Sequence, residues 1–276
     1  RFITPAVATI ANKIDASGLA LYTSVYNSVG VPGTPGPTTL LDYLNAGVAL
    51  DNDACPMDGQ RSVCITPSQQ AQIVNALKGL FQQSSAIASQ YRRGQMGTAV
   101  GFEWYMDQNC NTHTTGTFTT GSTPLVKGAA QTGASLITDG WANSTAVIKK
   151  GDVFTIADVN HVNPQSLTSV ATAQQFVATA DGTSPGDNAA ITMVGAEAKQ
   201  SPQGLAFHKD AFTLAMADLP LPQGTDMAAR VSDDQLGMSI RLIRDYDITT
   251  DKFPCRLDVL FGWAALRPEL ACRLQG

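Results

Sequence analysis

The chain has 276 residues, enough for one large domain or two of ordinary size. Apolar residues make up 43% and charged residues 15%, so much of the surface has to be Thr, Ser, Gln, Asn and small residues. A net charge of −5 argues against holding nucleic acid by the protein's own electrostatics, and no apolar run approaches the roughly 18 residues of a membrane span. No secretory signal is present. A start at Arg1 rather than Met, already close to a helical pattern, points to further residues upstream.

The run "TPAVATIANKIDASGLALYTSVYNSVG" predicts a helix of about 25 residues. Thr4 caps it and Pro5 suits the first helical position. Ile3, Val7, Ile10, Ile14, Leu21 and Val25 follow three- and four-residue steps, or multiples of them, along one face. The helix stops at the turn-rich "GVPGTPGP", and "TTLLDYLNAGVAL" predicts a shorter one. In "DNDACPMDG" Asp51 and Asp53 alternate as in a calcium loop. Pro56 stands where that loop needs glycine and Ser62 where it needs glutamate, so the metal reading fails. "RSVCI" predicts a strand running into a capping box at Thr66, Pro67 and Gln69. Ile73, Val74, Leu77, Leu80 and Phe81 stripe the helix that follows. "AVGFEWYMDQN" predicts a buried strand or its end.

Composition changes at about residue 112, where "NTHTTGTFTTGSTP" is mostly Thr and Gly. Strand patterns then dominate: "ASLITDGW", "GDVFTIADV", "AQQFVATADG" and "AAITMV", separated by turn clusters such as "DGTSPGDN". They predict a small all-β unit set into a mixed domain. Residues from about 119 to 200 should fold by themselves, with Phe154, Ile156, Phe176 and Val177 among the buried positions. In "SPQGLAFHKDAFTLAMADL" a helical period returns through Phe207, Ala211, Leu214, Ala215 and Asp218. Strand patterns close the chain: "GMSIRLIRDYD" with Met238, Ile240 and Leu242 on one side, "CRLDVLFGW" with Cys255, Leu257, Val259 and Phe261, and "ELACRLQ".

The five cysteines, Cys55, Cys64, Cys110, Cys255 and Cys272, are odd in number and form no CxxC. His113 near Cys110 has no second ligand pair at zinc spacing. The pattern predicts reduced thiols in a cytoplasm-like compartment. Cys255 and Cys272, both on predicted strands, should react slowly in the folded chain.

Material for catalysis is thin. In "KKGDVFTIADVNHVNPQS" Asp152 and Asp158 precede His161, which reads as an acid–base pair or as a strand with the turns at its two ends. The alternation from Val153 to Val159 and the turn-forming "NHVNP" favour the second reading. One GxSxG occurs, "GTSPG" around Ser184. Pro185 follows the serine, and a strand pattern stands where a nucleophile elbow needs a helix. His208 with Asp210 reads as a helix-end pair. Arg92 and Arg93 in "QYRRGQMG" suit either phosphate or a solvated surface. No HExxH, Walker A or GxGxxG is present, and three histidines offer little for general-base chemistry.

The segments "AVGFEWYMDQN", "GWANSTAVIKKGDVFTIADVN", "LAFHKDAFTLAMADLPLPQGTDMAARVSD" and "FGWAALRPELACRLQG", in this order, resemble the major capsid (coat) proteins of tailed bacteriophages. The lineage is that of the Hong Kong 97-type fold, and the nearest group is the Salmonella podophage coat-protein group with its inserted β-barrel domain. The resemblance implies an α+β fold with a long spine helix, a peripheral domain and an axial domain. It divides the chain into five parts. Residues 1–65 would hold the spine helix and part of the peripheral domain, and 66–111 the first axial part. Residues 112–200 would be the inserted β-barrel, 201–246 the second axial part, and 247–276 strands returning to the peripheral domain. The family's N-terminal arm and extended loop, which precede the spine helix, are not among these residues.

The implied function is structural, with no catalytic, cofactor-binding or metal residues to carry over. The chain would self-assemble through hexamers and pentamers into an icosahedral shell. Scaffolding, portal and possible decoration proteins would be its partners. The shell would enclose double-stranded DNA without sequence-specific binding or membrane contact, after assembly in the bacterial host cytoplasm. Three rivals stand beside it. An encapsulin-like compartment shell is disfavoured by the insert. A β-rich phage adhesin or tail module would be a monomer or trimer. An α/β enzyme would place His208 or His161 in a pocket with a perturbed carboxylate.

Overall fold

The computed structural model describes residues 3–77, 97–117, 125–126, 128, 132, 138–139, 146–183, 200–233 and 238–276. Leu80, Phe81, Arg92, Arg93, Ser184 and the "AAITMV" pattern lie outside them. In chain order the elements are α1 (Ile3–Leu19), β1 (Ser28–Gly30), α2 (Leu40–Asn52), β2 (Arg61–Ile65), α3 (Pro67–Leu77), β3 (Thr98–Ala99), β4 (Phe102–Met106), β5 (Thr112–Thr114), β6 (Leu125–Val126), β7 (Thr138–Asp139), β8 (Ala146–Ile148), β9 (Val153–Val162), β10 (Ser169–Val177), β11 (Gly182–Thr183), β12 (Gln200–His208), β13 (Phe212–Ala217), β14 (Met227–Asp233), β15 (Met238–Arg244), β16 (Cys255–Asp258), β17 (Leu260–Ala265) and β18 (Ala271–Gln275). The class is α+β. The chain divides into two compact units, Arg1–Gly18 with Phe212–Ala264, and Leu19–Ala211 with Ala265–Gly276.

In the larger unit a mixed sheet runs β1-β18-β12-β2-β4-β3, with β5 also on β12. β1 with β18 and β2 with β4 are parallel, while β12 is antiparallel to both β18 and β2. Tyr43, Ala46 and Leu50 of α2, Ile73 of α3, and Val63, Ile65, Phe102, Leu205 and Leu274 of the sheet are buried together as its core. Each large side chain so buried contributes about 1.5–3 kcal/mol before entropy is counted. The capping box at α3 forms as expected: Thr66 N donates to Gln69 Oε1 at 3.0 Å and Gln69 N donates to Thr66 Oγ1 at 3.2 Å. Gln69 is fully buried, and its Nε2 also donates to Leu274 O at 2.9 Å, so the cap fixes α3 to β18. Gly30 closes β1 with φ +106°, and a Cβ there would collide with the Gln275 carbonyl oxygen.

Three expectations change. The helical period read in "SPQGLAFHKDAFTLAMADL", residues 201–219, is two strands, β12 and β13. β12 lies inside the sheet and is buried at most positions, so its apolar run carries no alternation. Phe212, Leu214 and Met216 of β13 do alternate with exposed neighbours, at the period of a strand. The first helix is also shorter: α1 ends at Leu19, a 3-10 turn covers Ala20–Ser24, and Val25 is extended. Burial of Tyr22 and Val25 in the larger unit overrides the local helical spacing. Finally, β9 continues through "NHV" to Val162, so His161 is a strand residue and not a turn residue. Asp158, at φ +65°, sits where the register against β10 shifts.

Among the described residues, the Thr/Gly-flanked block consists of three two-stranded ladders, β9 with β10, β8 with β11 and β6 with β7. Phe154 and Phe176 stack at 5.6 Å across the longest ladder. That ladder is tied to the sheet edge. Ser28 N donates to Gln175 Oε1 at 2.6 Å, and Gln175 Nε2 returns a bond to Ser28 O at 2.9 Å. Gln175 thus covers the open backbone of an edge strand.

The smaller unit holds an antiparallel sheet β14-β15-β16, and β13 paired with β17. Trp263 of β17 donates its indole N–H to Ile14 O of α1 at 2.9 Å. Gly18 lies against the same indole, where a Cβ would come within 2.8 Å of Cζ2. "CRLDVLFGW" is two strands broken at Val259, and Cys255 at the start of β16 is exposed, against the expectation that it reacts slowly in the folded chain.

Candidate functional site

All three histidines are buried, and each faces an aspartate from a distant part of the chain. Asp152, 2% exposed, accepts from Lys149 N at 2.8 Å and Gly116 N at 3.0 Å through Oδ2, and its Oδ1 lies 2.7 Å from His113 Nε2. A carboxylate only accepts, so the proton sits on Nε2 and Nδ1 receives the Tyr22 hydroxyl, 3.1 Å away. Gly151 makes room for the ring, since a Cβ there would press on Thr23 and His113. Beside Tyr22, the Arg273 guanidinium lies 5.6 Å from the ring centroid and donates Nε–H to Val25 O at 2.9 Å. Burial lowers the Arg273 pKa to about 10.

Tyr22, His113 and Asp152 line up like a catalytic triad with tyrosine in the nucleophile's place. Burial raises the Tyr22 pKa, with the Asp152 charge adding to it and Arg273 opposing. The hydroxyl therefore keeps its proton at neutral pH, and the array works as a tie between the start of the larger unit, β5 and the turn before β9.

His161 and Asp53 do not pair with Asp152 or Asp158. His161 Nδ1 lies 2.7 Å from Gln174 Oε1, an acceptor, so the proton is on Nδ1. Nε2 then faces Asp53 Oδ1 at 3.2 Å without hydrogen-bond alignment. Asn27 donates to Asp53 Oδ2 at 2.5 Å. Burial raises the Asp53 pKa, while Asn27 and His161 pull it down and Glu269 adds to the rise. His161 also touches a groove of about 340 Å³ walled by Asn27, Asn45, Asn52 and Gln175. A histidine with a raised carboxyl beside a groove has the ingredients of acid–base chemistry. Here both groups are engaged by neighbouring amides, and the other polar residues of the groove are the amides already named with Ser28 and Thr172, none of them ionisable at neutral pH.

His208 ends β12 rather than starting a helix. Its Nδ1 accepts from Asp210 N at 3.3 Å, so Nε2–H donates to Asp58 Oδ1 at 3.1 Å. Desolvation pulls the Asp58 pKa up, but the Gln60 N–H and His208 outweigh it and hold the carboxyl below its usual value. Asp51, half of the rejected calcium pattern, pairs with buried Arg61 at 2.7 Å. Among the described residues no group of three or more His, Cys, Asp or Glu is placed to hold a metal ion, and no helix is long and apolar enough to cross a membrane. The pairings span segments too far apart in sequence for spacing to reveal them.

Large apolar side chains stand in solvent on both units. Val31, Leu41, Met57 and Leu167 of the larger unit, and Val231, Ile248 and Phe253 of the smaller, are all at least 60% exposed. Residues 179–276 match the family model described as P22 coat protein, gene protein 5. This part of the chain is similar to that family. No curated protein matches. A solved structure from Mycobacterium phage Che8 is similar over 99% of this chain at 12% identity, with a TM-score of 0.43. The chain spans 61% of the length of that structure.

Proposed function

We propose that the protein is a bacteriophage major capsid (coat) protein of the Hong Kong 97-type fold, which assembles through hexamers and pentamers into the icosahedral shell around the phage genome. The observation that carries this reading is the match of residues 179–276 to the P22 coat protein family. On this reading the work of the protein is contact between copies. The exposed apolar side chains on both units suit broad repeated interfaces. The buried His–Asp pairs suit rigid building blocks rather than turnover, and the chain needs no cofactor.

The parts follow the division drawn from the resemblance. Residues 1–65 carry the spine helix and part of the peripheral domain, 66–111 and 201–246 the axial domain, and 247–276 the returning strands. Residues 112–200 form the inserted β-barrel domain, of which the β6–β11 ladders are pieces. Scaffolding and portal proteins are the expected partners, and the virion the final location. A negative net charge fits a wall that confines double-stranded DNA without gripping it. Coexpression with the scaffolding protein of the same phage, followed by electron microscopy, tests the proposal. Regular shells support it, and monomers or closed trimers contradict it.

A further inference from the structure

The sulfur atoms of Cys64 and Cys110 lie 3.8 Å apart in the larger unit. We propose that these two thiols form a redox-controlled cross-link, reduced in reducing surroundings and closed to a disulfide in oxidising ones.

The backbone presets the encounter. Cys64 sits inside the sheet, opposite Leu205 on one side and Tyr105 on the other. Cys110 lies in the short connection from β4 to β5, which is held at both ends. Asp107 N donates to Ile65 O at 2.9 Å, and Gln203 N donates to Asn111 O at 2.9 Å. Asp107 Oδ1 also accepts from Asn109 N at 2.7 Å, which shapes the turn between those anchors. A disulfide needs the sulfurs at roughly 2.05 Å, so they have to close by roughly 1.8 Å. Side-chain rotation of Cys110, the more exposed partner, is the available motion.

The other thiols are poor competitors for an internal bond. Cys55 and Cys272 are buried, and burial raises both, Cys272 to about 12. Cys255 is exposed and belongs to the smaller unit.

With a small-molecule disulfide such as oxidised glutathione as the oxidant, the exchange balances. The Cys110 thiolate attacks one glutathione sulfur, forms a mixed disulfide and releases one glutathione thiolate. The Cys64 thiolate then attacks Cys110 Sγ and releases the second. The two protons lost by the cysteines end on the two glutathione thiols. The bond closes a loop of more than forty residues and ties β2 to the segment entering β5.

The test uses the full chain carrying Cys255→Ser, which removes the exposed thiol. Reduced protein is incubated with oxidised glutathione, then denatured, alkylated and mapped by mass spectrometry. Two of the four remaining cysteines should escape alkylation, in a peptide pair joining Cys64 to Cys110. The thermal midpoint should rise by about 5–10 °C. Adding Cys110→Ser, at a position outside the sheet, should abolish both changes. Alkylation of all four thiols, or a lasting glutathione adduct on Cys110, would overturn the proposal.

Discussion

Asp152 engages both carboxylate oxygens, with two backbone N–H groups on one and the His113 ring on the other. Asp152→Ala strands three donors, two of them buried, and should cost about 3 kcal/mol or more in urea denaturation. Tyr22→Phe removes one hydrogen bond at the far end of the same array and should cost only about 1 kcal/mol. A Tyr22→Phe loss as large as that of Asp152→Ala would mean that the hydroxyl, not the carboxylate, organises the cluster. Charge enters with opposite signs elsewhere. Hydrogen bonds from Arg241 hold the Asp258 pKa down, helped by Arg256 and opposed by burial. Its contribution is complete above the unfolded carboxylate value of about 4 and is lost as pH falls through the lower folded value. The stability gap between the wild type and Asp258→Asn should therefore be present at pH 7 and shrink below about pH 4. Asp53 runs the other way. Its folded pKa is raised, so its contribution is greatest below about pH 4 and is lost as pH rises through the folded value. Asp53→Asn should remove that decline in pH-dependent denaturation, and an unchanged profile would place the cost of the buried carboxyl elsewhere.

At the scale of elements, α1 depends on close approach to Trp263. Gly18→Val would push the indole away and should lower the denaturation midpoint by the equivalent of about 2 kcal/mol. Retention of the native midpoint would mean that β17 yields without strain. Strand position also sets cysteine reactivity. Cys255 should modify first with an aromatic disulfide reagent, and Cys272, fully buried on β18, should resist until unfolding. Elements whose signal is local were legible in the sequence. Thr66 and Gln69 are three residues apart, and their capping box is present in full. The "RSVCI" and "ELACRLQ" strands are β2 and β18. β12 was not legible, because a strand buried on both faces shows an apolar run and no period. Cys255 was misplaced because alternation assigns a face without saying whether anything covers it. The candidate site was legible in its residue types and not in its partners. Asp152 and His161 looked like neighbours in one segment, yet each pairs across the fold, Asp152 with His113 and His161 with Asp53.

For the whole molecule, the buried His–Asp pairs and the exposed apolar side chains belong to one account. On the proposed capsid reading, the His113–Asp152 and His208–Asp58 bonds hold distant segments of the larger unit together, and the exposed apolar side chains are the surface that other copies would cover. Coat contacts are individually modest and become strong by repetition around a closed shell. Substitution of one exposed apolar group, such as Ile248→Asp, should therefore leave the fold intact by circular dichroism yet reduce shell yield. Unchanged yield would remove that side chain from the interface. A coat protein is defined by its assembly, so the decisive measurement is electron microscopy of the full-length protein with its scaffolding partner. Closed shells built from rings of five and six subunits are the expected result. A protein that stays monomeric, or that stops at a closed trimer under the same conditions, would contradict the capsid account.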